Sequence, residues 1–158
     1  SNIFRVIGVS MQVHYSSEAQ DWGTPINLYQ RLDAIHHFTL DVCADAHNYK
    51  HKNYFDKSKD GLLQDWQDNI CFMNPPYGRE IKHWIKKAYE ESCQRAKVVA
   101  LIPARTDTTY WHDYIFPHAK VEFLKGRIKF EKQGKAAQPA PFPSAVIVFD
   151  KHLQSDWS

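Results

Sequence analysis

The chain has 158 residues, 43% of them hydrophobic and 14% aromatic, a balance that excludes a disordered protein and suits one folded domain. Its formal net charge of +2 is too small to signal a nucleic-acid partner, so the placement of charge along the chain carries the information instead. No apolar run approaches the roughly 18 residues of a membrane span and no signal-peptide pattern is present, which points to a cytoplasmic chain with no membrane partner.

Residues 1–10 precede Met11 and read as a tag or an upstream extension, with residues 11–158 as a single domain. Up to residue 48 the chain is acidic, Arg5 and Arg31 standing against Glu18, Asp21, Asp33, Asp41 and Asp45. Thr24-Pro25 reads as a helix start, with Thr24 as N-cap and Pro25 in the first helical position. Leu28, Leu32 and Ile35 follow at helical spacing, to about His36. Residues 38–43 read as a strand, and residues 70–73 as a short apolar strand ending at a turn. Ile81, Trp84, Ile85, Ala88 and Tyr89 share one helix face, opposite Lys82, Lys86, Lys87, Glu90 and Glu91. Residues 98–102 form a buried strand pattern and residues 108–118 a helix. Residues 121–124 and 127–130 read as strands of a hairpin around Gly126. Residues 120–135 hold Lys120, Lys125, Arg127, Lys129, Lys132 and Lys135 against Glu122 and Glu131, a basic stretch that suits a phosphate-binding face or a solvated surface. Residues 133–143 read as a loop rich in Pro, Ala and Gly, and residues 145–149 as the last strand. Cys43, Cys71 and Cys93, widely spaced, read as reduced and mostly buried thiols.

Strand and helix patterns alternate, and the strand runs are apolar on both faces. That combination predicts a mostly parallel sheet with helices on both sides. Ligands of such sheets sit beyond the carboxyl ends of the strands. Two polar clusters fall there, at residues 41–45 and 74–78, and together they predict one pocket.

The second cluster is Asn74-Pro75-Pro76-Tyr77-Gly78. Consecutive prolines fix two φ angles, remove two backbone donors and push the residue before each into extended geometry. The result is a stiff loop that offers carbonyls and holds Asn74 and Tyr77 at its ends. Such a loop suits methylation of an aromatic amino group. The lone pair of that nitrogen is delocalised into its ring, and two acceptors binding its N–H groups localise it. Asn74 Oδ1 and the Pro75 carbonyl are two such acceptors, and the ring of Tyr77 can stack on an extruded base. The competing reading, a rigid turn or proline-rich ligand motif, suits the position between an apolar strand and an amphipathic helix poorly.

The ordered set of motifs resembles the phage-type DNA adenine methyltransferases of the Dam family. It consists of Asp21-Trp22-Gly23-Thr24-Pro25, Leu40-Asp41-Val42-Cys43-Ala44, Asp60-Gly61-Leu62 with Asp65-Trp66, Phe72-Met73-Asn74-Pro75-Pro76-Tyr77-Gly78, residues 100–107, Gly126-Arg127-Ile128 and Phe142-Pro143-Ser144-Ala145. The resemblance implies a Rossmann-like methyltransferase fold with an antiparallel C-terminal strand. The short span before Asn74 implies that a strand and a helix of that fold are reduced or lost. It implies S-adenosylmethionine as cofactor, no metal, adenine in DNA as substrate, and a phage or prophage protein working in a bacterial host as monomer or homodimer.

Residue by residue, the resemblance implies that Trp22, Thr24 and Pro25 approach the methionine end of the cofactor. Asp41, Ala44 and Asp45 belong to its first binding motif, and Asp60 or Asp65, with Asp60 preferred, reaches its ribose or adenine. The catalytic loop is Asn74, Pro75, Pro76 and Tyr77. Phe130 and Phe142 are candidates for the second face of a base sandwich, or core residues. Arg105 and Arg127 are candidate phosphate ligands, Arg105 alternatively holding Asp107. One departure stands out: the first cofactor loop, Asp41-Val42-Cys43-Ala44-Asp45-Ala46, has no glycine, where close approach of backbone to ligand usually needs one. Methylation of a protein glutamine amide, and a non-catalytic nucleic-acid-binding module, are the two other readings.

Overall fold

Phe72 and Cys71 occupy adjacent positions of one strand and face opposite ways, and each meets a different helix. The computed structural model, which describes residues 22–132 and 135–151, places Phe72 edge-on to Tyr29 of helix α1 (Ile26–His36), ring centroids 5.1 Å apart. Cys71 lies in register with Val98 and, beyond it, Phe149, whose ring meets Tyr89 of helix α2 (Ile81–Gln94). Residues in register share a sheet face, so the two helices cover opposite faces.

The sheet between them has five strands: β1 (Leu40–Asp41), β2 (Ile70–Met73), β3 (Lys97–Pro103), β4 (Lys120–Phe123) and β7 (Ser144–Asp150). Their spatial order is β1-β2-β3-β7-β4. β1, β2 and β3 pair in parallel, and β7 runs antiparallel between β3 and β4. Four strands therefore point one way and only the C-terminal one points back, as the sequence predicts. The central strands, buried on both faces, form from continuous apolar runs: six of the seven residues of β3 and of β7 are buried.

Three expectations need correction. The strand at residues 38–43 contracts to Leu40–Asp41, because the Asp41 carboxylate accepts from the backbone N–H of Cys43 and Lys50 and turns the chain away. Residues 53–55 lie beside β1 at that edge, with Asp41 N–H donating to the Asn53 carbonyl and Phe55 N–H to the Asp41 carbonyl. Residues 127–130 form no hairpin with β4, which pairs with β7 instead. Their carbonyls take the amides of Ala137 and Ala140. The helix read at residues 108–118 does form, but with a π-helical turn (Trp111–Ile115) running into a short helix α3 (Phe116–His118). Pro117 has no N–H for the Asp113 carbonyl and its ring crowds it, so the turn widens and Phe116 N–H reaches back to Trp111. Cys93 is exposed, while Cys71 is buried and Cys43 half-buried.

At the start of the stretch read as a loop, β6 (Lys135–Ala136) pairs with β5 (Glu131–Lys132), just before it, as a separate two-stranded ladder. The reading of residues 1–10 falls outside the described residues. No helix among the described residues is long and apolar enough to cross a membrane.

Candidate active site

β1 and β2 end side by side, and a cavity of about 630 Å³ opens beyond their carboxyl ends. That volume lies inside the roughly 300–1,000 Å³ of small-molecule sites. Residues 41–45 and Asn74, Pro75 and Pro76 line it together, so the two strand-end clusters do share one pocket. Trp22, Gly23 and Thr24 close one side, and Asp56, Lys57, Asp60, Gly61 and Leu62 another.

The charge of this cavity is lopsided. Asp41, Asp45, Asp56, Asp60 and Glu80 face Lys50 and Lys57. Asp41 is 2% exposed, and burial pushes its carboxyl up to about 7 against the pull of two backbone N–H donors, those of Lys50 and Cys43. Asp45 anchors the loop by accepting from His47 and Asn48 N–H.

The glycine missing from that loop is supplied from across the cavity wall. A Cβ on Gly61 would stand 2.2 Å from the Val42 carbonyl oxygen, so only glycine lets this segment close on the loop after β1. The preceding residue, Asp60, takes a left-handed backbone (φ 51°) and caps the 3₁₀ turn Gly61–Leu63 through its own carboxylate, which accepts from Leu62 N–H. Trp66 ties the turn down, its indole N–H donating to the Gly61 carbonyl at 2.9 Å. Of the two aspartates weighed from sequence, Asp60 lines the cavity, whereas Asp65 is exposed and accepts from Gln67 N–H.

Asn74 is the best-held side chain of the site. Its Nδ2 donates to the Trp22 carbonyl at 2.6 Å and to Thr24 Oγ1 at 3.0 Å. Its Oδ1 accepts from the Tyr77 hydroxyl at 2.6 Å. Tyr77 Oη also stands 3.1 Å from the Leu101 carbonyl; with a single proton to give, it favours the shorter partner. Among the described residues nothing donates to the Pro75 carbonyl.

Thr24 therefore does not cap α1, because its hydroxyl is turned to Asn74. The helix begins at Ile26 after Pro25 with no side-chain cap of its own, and Glu131 Oε1 receives the Ile26 N–H at 3.2 Å. Pro25 lies outside the cavity lining.

Of the aromatic residues, Phe130 and Phe142 take the core alternative, while Tyr77 differs from the sequence reading. Tyr77 is buried and does not line the cavity; Phe130 and Phe142 meet its ring edge-on at 5.9 and 5.7 Å. Trp22 lies edge-on to the same two phenylalanines. The four rings pack on one another, so neither a free Tyr77 face nor a Phe130–Phe142 sandwich stands open. Burying rings against rings removes more apolar area from water than holding them apart. Arg105 and Arg127 are exposed and away from the cavity. The Arg105 guanidinium sits over the Phe142 ring and Arg127 reaches the Ala140 carbonyl. Residues the sequence did not single out also line the pocket: Asn48, Lys50, Phe55, Glu80, His83 and Trp84. Among the described residues no cluster of His, Cys, Asp and Glu could hold a metal ion.

A family model described as DNA N-6-adenine-methyltransferase (Dam) matches residues 12–158. The chain belongs to the Dam family. A protein named DNA N-6-adenine-methyltransferase from Haemophilus phage HP1 (strain HP1c1) is similar to it, 29% identical over 140 residues that cover 85% of this chain and 80% of that one. This Dam-family chain is an adenine-specific DNA methyltransferase of the phage type, and Asn74, Pro75 and Pro76 line its acidic cavity.

Proposed function

We propose that the chain transfers a methyl group from S-adenosylmethionine to the exocyclic N6 amino group of adenine in DNA, with Asn74 and the Pro75 carbonyl holding that amino group. The observation that carries this reading is the Asn74 amide, whose donor end is engaged by Trp22 and Thr24 while its acceptor end stays turned the other way.

The cavity fits the cofactor on its chemistry. S-adenosylmethionine carries an ammonium and a sulfonium, and the excess of carboxylates around the pocket complements both. Asp41 is placed to accept from the ammonium, Asp60 to accept from ribose hydroxyls, and the Thr24 hydroxyl to donate to a carboxylate. The apolar walls of Phe55, Leu62 and Trp84 suit a purine ring. When bound, the cofactor supplies a methyl made electrophilic by the adjacent sulfonium.

The chain's own work is orientation. Asn74 Oδ1, with a lone pair left beside the Tyr77 bond, and the unengaged Pro75 carbonyl accept the two N–H groups of the adenine amine. That localises the nitrogen lone pair and aims it at the cavity. The proline pair keeps the Pro75 carbonyl and the Asn74 backbone from drifting, and Trp22, Thr24 and Tyr77 hold the Asn74 side chain. Trp22, the half-buried ring of the aromatic cluster and a wall of the cavity beside Asn74, is the surface against which an extruded base packs, with Tyr77, Phe130 and Phe142 supporting it from behind. The order β1-β2-β3-β7-β4 with an antiparallel β7 suits a Rossmann-like methyltransferase sheet, with residues 53–55 in place of a further strand. The chain acts in a bacterial host cell, as monomer or homodimer.

Labelled methyl should pass from the cofactor to duplex DNA, and Asn74→Ala should lower the rate by at least about a hundredfold, the scale on which removal of one transition-state contact acts. Transfer to peptide glutamine but not to DNA overturns the reading.

A further inference from the structure

A primary amide is nearly symmetric in shape, yet one end accepts and the other donates. Turned one way, Asn74 meets the N–H groups of an amine with Oδ1. Turned end for end it meets them with Nδ2, and donor faces donor. The site needs something that selects the first orientation. Neither β2 nor the proline pair does so, since both constrain backbone alone.

Within the loop the Tyr77 hydroxyl favours that orientation by donating to Oδ1, and the groups that hold the other end of the amide come from far away in sequence. The Trp22 carbonyl and Thr24 Oγ1 both accept from Asn74 Nδ2. Their segment is clamped in turn, with Gly23 and Glu131 exchanging both backbone bonds at 3.0 and 2.8 Å. A Cβ on Gly23 would stand 2.6 Å from the Glu131 carbonyl oxygen, so the clamp closes only on glycine. Glu131 adds a carboxylate contact to Ile26 N–H and an ion pair to Lys50 at 3.8 Å. Thr24 is 2% exposed and still lines the cavity. Its oxygen serves Asn74, and its own proton goes to no described residue, which leaves that proton for an acceptor held in the cavity.

We propose that Thr24 is a positioning residue that fixes which end of the Asn74 amide faces the reacting amine and ties that choice to the contents of the cofactor cavity. The proposal rests on the reading of this site as a methyltransferase centre. It assigns Thr24 an effect on the rate of the bound complex, beyond any contact with the cofactor. Glu131 supports it by holding the segment that carries Thr24.

The test is steady-state methyl transfer to adenine-containing duplex DNA, with full-length protein at saturating S-adenosylmethionine. Thr24→Val keeps the shape and removes the hydroxyl, while the Trp22 carbonyl still holds Nδ2. The expected result is a kcat about tenfold lower at saturating cofactor, the scale of one hydrogen bond, with the KM for DNA within about twofold of the parent and the KM for the cofactor raised by loss of the hydroxyl's own contact. Thr24→Ser should restore kcat, and Thr24→Ala should repeat the valine result. An unchanged kcat in Thr24→Val, a loss confined to the cofactor KM, or a serine variant as slow as the valine one overturns the proposal. A parent chain that transfers no methyl to adenine instead defeats the functional reading itself.

Discussion

At Asn74 the identity of one residue is set by what lies behind it. The Trp22 carbonyl stands 2.6 Å from Nδ2, a distance that only a donor tolerates. An aspartate offers two acceptors to a substrate amine, but one of its oxygens would meet that carbonyl. Asn74→Asp should therefore lose activity about as severely as Asn74→Ala, and an Asn74→Asp enzyme near parental rate would show that Trp22 does not constrain the site. Asp41 poses a different problem, since burial raises its carboxyl from the ordinary 3.8 to about 7. Between those values the folded chain keeps a proton that the unfolded chain has lost. The contribution to stability is complete below the lower value and declines as pH rises through the window. In thermal melts from about pH 4 to about pH 7, Asp41→Asn should gain on the parent by several degrees and then run level with it. A constant difference across that range would contradict the burial of the carboxyl. Asn74 and Asp41 were both legible in the sequence, since each closes an apolar strand. The partners that decide their behaviour were not, because Trp22, Thr24 and the Lys50 amide reach them only through the fold.

Among the elements, those with strong periodicity came through unchanged. β2 forms at residues 70–73 as read, β3 and β7 extend their apolar runs by a residue or two, and the α2 stripe from Ile81 to Ala88 is buried. Elements that depend on a partner did not. Residues 127–130 have strand-like composition, but β7 takes the pairing edge of β4. Pro117 opened a π turn inside the expected helix, an effect local in cause but invisible to a count of apolar spacing. The aromatic cluster was legible only in part: the core reading of Phe130 and Phe142 holds, but that they close over Tyr77 was not visible, because the three are distant in sequence and only their packing shows that they fill one another's space. Gly61 gives a test at this scale. Its Cβ would overlap the Val42 carbonyl and crowd Trp84, so Gly61→Ala should cost about 3 kcal/mol, or roughly 10 °C in melting temperature for a chain of this size. A melting temperature within a degree or two of the parent would mean that the turn at residues 61–63 shifts freely.

For the whole molecule, charge is divided between an acidic cavity and a basic flank. Lys120, Lys125, Arg127, Lys129, Lys132 and Lys135 are all exposed. Lys132 also lies over the Trp22 ring, at 5.8 Å. This division was readable as a charge excess along the sequence, although the net charge of +2 concealed it. DNA affinity should fall steeply with salt, and Lys132→Ala and Lys135→Ala should each lower the slope of log affinity against log salt by about 1. A flat salt response would remove this flank from the DNA interface. The central claim concerns a single bond, and the nucleoside digest of methylated DNA reads it most directly. The account predicts that the parent chain places its methyl on adenine N6, with the product lost in Asn74→Ala. A methyl on a ring nitrogen of adenine or on cytosine, or N6 product that survives the loss of Asn74, would contradict it.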